Sequence, residues 1–130
     1  MKLFDVKKHP DLPVIIGTWY EGFKFVRNGA DFGEAANALL DEQTEPVFYI
    51  IDLSQLKTIS IEGVTETANS GAKNQRSSYR HPMRKEMLII SDQRVVKMAV
   101  TGAKTATFGN LKVKHYETLD EALDYVKENV

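Results

Sequence analysis

The chain has no cysteine, which excludes disulfides, thiol catalysis and cysteine-ligated zinc. It has almost no net charge: 17 Lys and Arg against 18 Asp and Glu leave −1 at pH 7, with no field of one sign to hold nucleic acid or an anionic membrane. No apolar run approaches the roughly 20 residues that span a bilayer. The amino-terminal MKLFDVKKHPDLP lacks the continuous apolar core of a secretory signal, so the expected location is cytoplasmic. His9, His81 and His115 are scattered and unpaired at metal-ligand spacing, and no metal or other cofactor is implied. There is no GxSxG elbow, internal repeat or low-complexity segment. Gly102-Ala103-Lys104-Thr105 ends like a phosphate loop, but Ala103 stands where glycine is required and the segment falls late in an expected helix.

What is present is the balance of a soluble globular domain: 42% hydrophobic and 27% charged residues in a chain of 130, expected to form one domain over 1–130 around a single core. Leu3 to Lys7 alternates and reads as a short strand, broken by His9-Pro10 and Pro13. VIIGTWY (14–20) and FKFV (23–26) read as two more β runs, with Glu21-Gly22 as a turn or bulge between them. Asp31 followed by Glu34 forms a variant capping box, and Ala35, Ala36, Ala38, Leu39 and Leu40 supply a helix to about Gln43. Pro46 then leads into Val47 to Leu53, whose near-continuous apolarity predicts a central strand buried on both faces.

Ile61, Val64, Ala68 and Ala72 predict a helix from Ser60 to about Arg76, fading into a loop over 77–82. EMLIIS (86–91) is a further buried strand, and Ser91 or Asp92 can cap a helix from Gln93 to about Phe108. LKVKHY (111–116) alternates like an edge strand, with Lys112 and Lys114 pointing outward against further pairing. Thr118 and Glu121 form a capping box for a final helix whose stripe is Leu119, Ala122, Leu123 and Val126. Strands separated by helices need crossovers, so the expected class is α/β: a mixed sheet with an antiparallel amino-terminal portion followed by alternating α/β units.

Asp52-Leu53-Ser54-x-Leu56-x-x-Ile59, followed by Ser60-Ile61-Glu62-Gly63-Val64, resembles the signature of STAS domains, the anti-sigma-factor-antagonist fold in its broad SpoIIAA-like sense. In that family an Asp-Leu-Ser strand end leads through a loop to an Asp-Ser-Ser/Thr-Gly-Leu helix start. The carboxy-terminal strand-helix-strand-helix order is also similar in spacing. The resemblance covers most of the chain in element order and a short set of residues in motif. Regulatory members carry a phosphorylatable serine in the first helical turn; registration places Ile61 there, Ser60 at the family's Asp and Glu62 at its second Ser/Thr. Isoleucine cannot be phosphorylated. The resemblance therefore implies a divergent domain whose switch is lost, carried by Ser60, or replaced by the fixed charge of Glu62. A phosphate would add about −1.5 to −2 charges at the helix N-terminus. A carboxylate there is favoured by roughly 0.3–1 kcal/mol. Read locally, Ser60 is a plain N-cap, worth about 1 kcal/mol.

These readings imply a non-enzymatic protein-interaction or regulatory module, docking through 54–64 with Asp52, Ser54, Thr58, Ser60 and Glu62 as partner-binding residues and Ser60 as a candidate phosphosite. A protein partner is expected, with neither nucleic acid nor membrane, and a homodimer is compatible. Lys73, Arg76, Arg80 and Arg84, with Lys85, form a basic stretch that could contact an anion or an acidic partner surface, although a solvated helix end and loop explains it more simply. One alternative is a small-molecule or lipid-binding domain with a cavity bounded by Trp19, Phe23 and the 95–108 helix. Against it, the cluster of Trp19, Tyr20 and Phe23 also reads as ordinary core packing. A second alternative is an enzyme using Asp52 and Glu62 as an acid/base pair, although Asp52 at a strand end more simply holds the following loop through backbone N–H groups.

Overall fold

The computed structural model describes residues 2–57, 59, 81–103 and 113–130. The expected helix over 60–76 and residues 104–112 lie outside the described residues. The elements are β1 (Phe4–Lys8), β2 (Val14–Trp19), α1 (Phe25–Asp41), β3 (Val47–Asp52), β4 (Arg84–Ile90), α2 (Arg94–Ala103), β5 (Val113–Tyr116) and α3 (Leu119–Glu128). The sheet runs β1-β2-β3-β4-β5. The first pair is antiparallel and the others are parallel, which is the mixed α/β sheet expected.

β3 is the central strand, and all of VFYIID is buried. Its side chains alternate between two cores, as the period of two requires. Val47, Tyr49 and Ile51 meet Phe32, Ala36 and Leu40 of α1 and Val96 and Val100 of α2. Phe48 and Ile50 meet Ala122 and Val126 of α3 on the other face. The connections β2-α1-β3 and β4-α2-β5 step across the sheet in the same direction, so right-handed crossovers put α1 and α2 on one face. α3 is left to close the other, entered through the Thr118/Glu121 capping box.

Two local expectations are corrected. Phe23–Val26 is not a strand: Gly22 turns the chain at φ 96°, Phe23 N–H donates to Tyr20 O at 3.0 Å, and α1 begins at Phe25. The helix therefore starts six positions before the Asp31 cap expected. Its stripe extends backward from Leu40 and Ala36 through Phe32 and Gly29 to Phe25, and burying that stripe outweighs a local β preference in a four-residue run. Asp31 and Glu34 lie within the helix as exposed residues. The second correction concerns Lys114. It is half-buried, with Nζ 5.3 Å from the centroid of the Tyr125 ring, because α3 covers this side of the edge strand.

The aromatic residues near the β2 end pack against one another. Trp19 and Phe23 stack at 4.2 Å, with Phe32 edge-on to them at 5.4 and 6.1 Å and Phe4 edge-on to Phe23 at 6.2 Å. The Trp19–Phe23 wall of the expected cavity is thus filled by rings. Among the described residues, no helix is long and apolar enough to cross a membrane.

Candidate functional site

The parallel strands β2, β3 and β4 deliver their carboxyl ends to one edge of the molecule, the usual location of binding surfaces in open α/β sheets. There, Leu53 N–H donates to Ile90 O at 2.9 Å, extending the β3–β4 pairing by one residue. The chain then turns: Asp52 Oδ1 accepts from Ser54 N–H at 2.9 Å, and Leu56 N–H donates to Leu53 O at 3.0 Å. Asp52 is 6% exposed, so its carboxylate serves the loop from beneath instead of facing a cleft. This is the structural role that its strand-end position implies.

Beyond the turn, the loop is held from two other elements. The Glu21 carboxylate, in the turn after β2, accepts from Lys57 N–H. The Gln93 side chain, just before α2, donates from Nε2 to Leu56 O at 2.9 Å and accepts at Oε1 from Ile59 N–H at 3.0 Å. Leu56 and Ile59 pack against the core, while Ser54, Gln55 and Lys57 are exposed. The result is a loop whose backbone groups are tied down by Asp52, Glu21 and Gln93 and whose outward side chains Ser54, Gln55 and Lys57 face solvent. Beside it lies an open groove of about 430 Å³ lined by Lys2, Tyr20, Glu21 and Gln55.

Gln93 is itself well supported. Its N–H donates to Ser91 Oγ at 3.0 Å, and Ser91 is fully buried. Ser91 N–H donates to Tyr116 O at 3.0 Å, and Ser91 O accepts from His115 Nε2 at 2.6 Å. Asp92 and Arg94 flank Gln93 as exposed residues.

Of the residues singled out in the sequence, Asp52 and Ser54 meet at the loop. Thr58, Ser60, Glu62, Lys73, Arg76 and Arg80 lie outside the described residues. Arg84 opens β4 opposite Val47, at the other end of the sheet from Ile90, roughly 20 Å away along the strand. Sequence reasoning missed Glu21 and Gln93. The signal that could have found Gln93 is its position: a polar residue at the carboxyl end of a buried strand, next to the strand that carries Asp52.

Among the described residues, the altered acidities lie on the α3 face of the sheet. Tyr125 is pushed up to about 12, first by donating its hydroxyl to Glu86 Oε1 at 2.5 Å and then by burial. Tyr116 is raised chiefly by burial, with the charges of Glu86, Glu128 and Glu121 adding to it.

Two solved structures are similar to this chain in fold. An uncharacterized protein of the DUF3478 family with a SpoIIAA-like fold, from Shewanella loihica PV-4, superposes with a TM-score of 0.59 at 17% identity, over 95% of this chain and 91% of that one. The chain has a SpoIIAA-like fold. An anti-sigma factor antagonist from Mycobacterium paratuberculosis superposes with a TM-score of 0.56 at 20% identity, over 95% of this chain and 92% of the other. The expected mixed α/β, SpoIIAA-like fold is therefore borne out, while residues 60–64 of the motif lie outside the described residues. No family model matches the chain, and no curated protein matches it in sequence.

Proposed function

We propose that this SpoIIAA-like domain works by binding another protein, as a regulatory module without chemistry of its own, through the 54–59 loop and the residues that follow it to Val64. The observation that carries this reading is the construction of the loop. Three side chains from three parts of the chain, Asp52, Glu21 and Gln93, hold its backbone while Ser54, Gln55 and Lys57 stay exposed. A preset backbone lowers the ordering cost of association. The open groove beside Gln55 adds a recess for a partner side chain. The structural likeness to an anti-sigma factor antagonist supports a regulatory role. Asp52 and Ser54 set the shape of the surface; Thr58, Ser60 and Glu62 extend it, with Ser60 as the proposed site of any phosphorylation. Lys73, Arg76, Arg80 and Arg84 are proposed as an anion contact.

The test is affinity capture from a native extract with the wild-type chain, Gln55→Arg and Ser60→Asp, with mass spectrometry of both the bound proteins and residue 60. A docking loop predicts one stoichiometric protein that Gln55→Arg fails to retain at unchanged stability. If Gln55→Arg retains that protein as fully as wild type does, the loop is not where it docks. Equal retention by Ser60→Asp, with residue 60 unmodified, removes the phospho-switch and leaves the docking surface.

A further inference from the structure

Leu56 O and Ile59 N–H are three residues apart, the spacing at which a four-residue turn closes with its own C=O to H–N bond. Here the Gln93 side-chain amide stands between them, Nε2 donating to Leu56 O at 2.9 Å and Oε1 accepting from Ile59 N–H at 3.0 Å. A primary amide presents a donor and an acceptor side by side at neutral pH, as the asparagine side chain also does with one methylene less. The Gln93 backbone is fixed in turn. Its N–H is bound to Ser91 Oγ, and its C=O accepts from Val96 N–H at 3.1 Å and Lys97 N–H at 3.4 Å, opening α2. Gln93 therefore joins two parts of the chain 37 positions apart, the loop after β3 and the start of α2.

We propose that Gln93 is the positioning residue that keeps the 54–59 loop in an open form for docking and ties its shape to α2. The proposal rests on the reading of this loop as the docking surface. Without the amide, Leu56 O and Ile59 N–H turn to water, and Lys57, held by Glu21 at its own N–H, is presented differently.

The test uses the full chain labelled for NMR, with amide hydrogen exchange and pH titration of wild type, Gln93→Ala and Gln93→Glu. Glutamate, when ionised, has no proton for Leu56 O and its charge repels that carbonyl oxygen, which drives the carboxylate away from Ile59 N–H as well. When protonated, it again offers a donor beside an acceptor. At neutral pH, exchange protection of Ile59 N–H should fall at least ten-fold in Gln93→Ala, while that of Leu53 N–H, bonded to Ile90 O, stays unchanged. In Gln93→Glu the Ile59 protection should be lost at neutral pH and return as the pH falls through the ordinary glutamate range, about pH 4. Wild type should show no such recovery. Equal Ile59 protection in all three chains overturns the proposal, as does a loss in Gln93→Glu that acid leaves unreversed while the chain stays folded. An equal fall at Leu53 also overturns it, because Gln93 would then support the whole fold and not the loop. These readings need no partner. If they come out as stated and no protein docks, the clamp stands and the docking reading falls.

Discussion

Glycine at position 17 faces the ring of Phe32, and a methyl built there would lie 2.5 Å from Phe32 Cζ and 2.7 Å from Cε1. Phe32 has little room to move away, since Trp19, Phe23 and Phe4 surround its ring at 5.4, 6.1 and 5.6 Å. Gly17→Ala should therefore cost about 1–3 kcal/mol through overpacking, seen as a lower urea midpoint. An unchanged midpoint would mean that the ring cluster is looser than its geometry indicates. Tyr125 supplies a second test. Its neutral hydroxyl donates to Glu86, and its pKa stands at about 12 against an ordinary 10.0. A pKa raised on folding gives stability that is complete below about pH 10 and is lost as pH rises through about 12. The urea midpoint of wild type should fall more between pH 8 and about pH 11 than that of Tyr125→Phe. Tyr116, also raised, leaves a residual fall in the variant. Equal falls in the two chains would remove Tyr125 as the cause.

α1 shows where local signals and packing part company. The Asp31/Glu34 pair has the residues of a cap, yet the helix begins at Phe25 from an Lys24 N-cap with no side-chain cap bond. Instead, Asn28 Oδ1 accepts from Lys24 N–H at 2.8 Å. The run FKFV alternates over too few residues to separate a strand from the first turn of a helix, and only the burial of Phe25, Gly29 and Phe32 along one stripe decides it. Glycines within the same helix should respond in a way that local propensity explains. A methyl added at Gly33 would meet nothing within 4 Å, so Gly33→Ala should stabilise by about 0.5–1 kcal/mol. A fall in thermal midpoint would contradict that. α3, by contrast, was readable from its residues alone, because Thr118 Oγ1 accepts from Glu121 N–H and the Glu121 carboxylate accepts from Thr118 N–H, both at 3.2 Å. Thr118→Ala should lower stability by about 1 kcal/mol, measured by denaturant titration.

Across the molecule, the parts legible in the sequence were those in which one segment carries its own explanation. β3 is apolar through Ile51 and fully buried, the helix-bearing crossovers follow from element order, and Asp52 holds Ser54 two residues on. The candidate site was only half legible, because its other holders come from far along the chain. Glu21 and Gln93 reach Lys57 and Leu56 across 36 and 37 positions, and only for Gln93 does its place after a buried strand point toward the loop. The central claim is that a protein docks on this loop, and photo-cross-linking from single positions tests it most directly. A photoreactive residue replacing Gln55 or Lys57 should give one discrete adduct with a second protein, while the same residue at the exposed Lys127 on α3 should give none. The absence of an adduct from both loop positions, or the same adduct from position 127, would contradict the account.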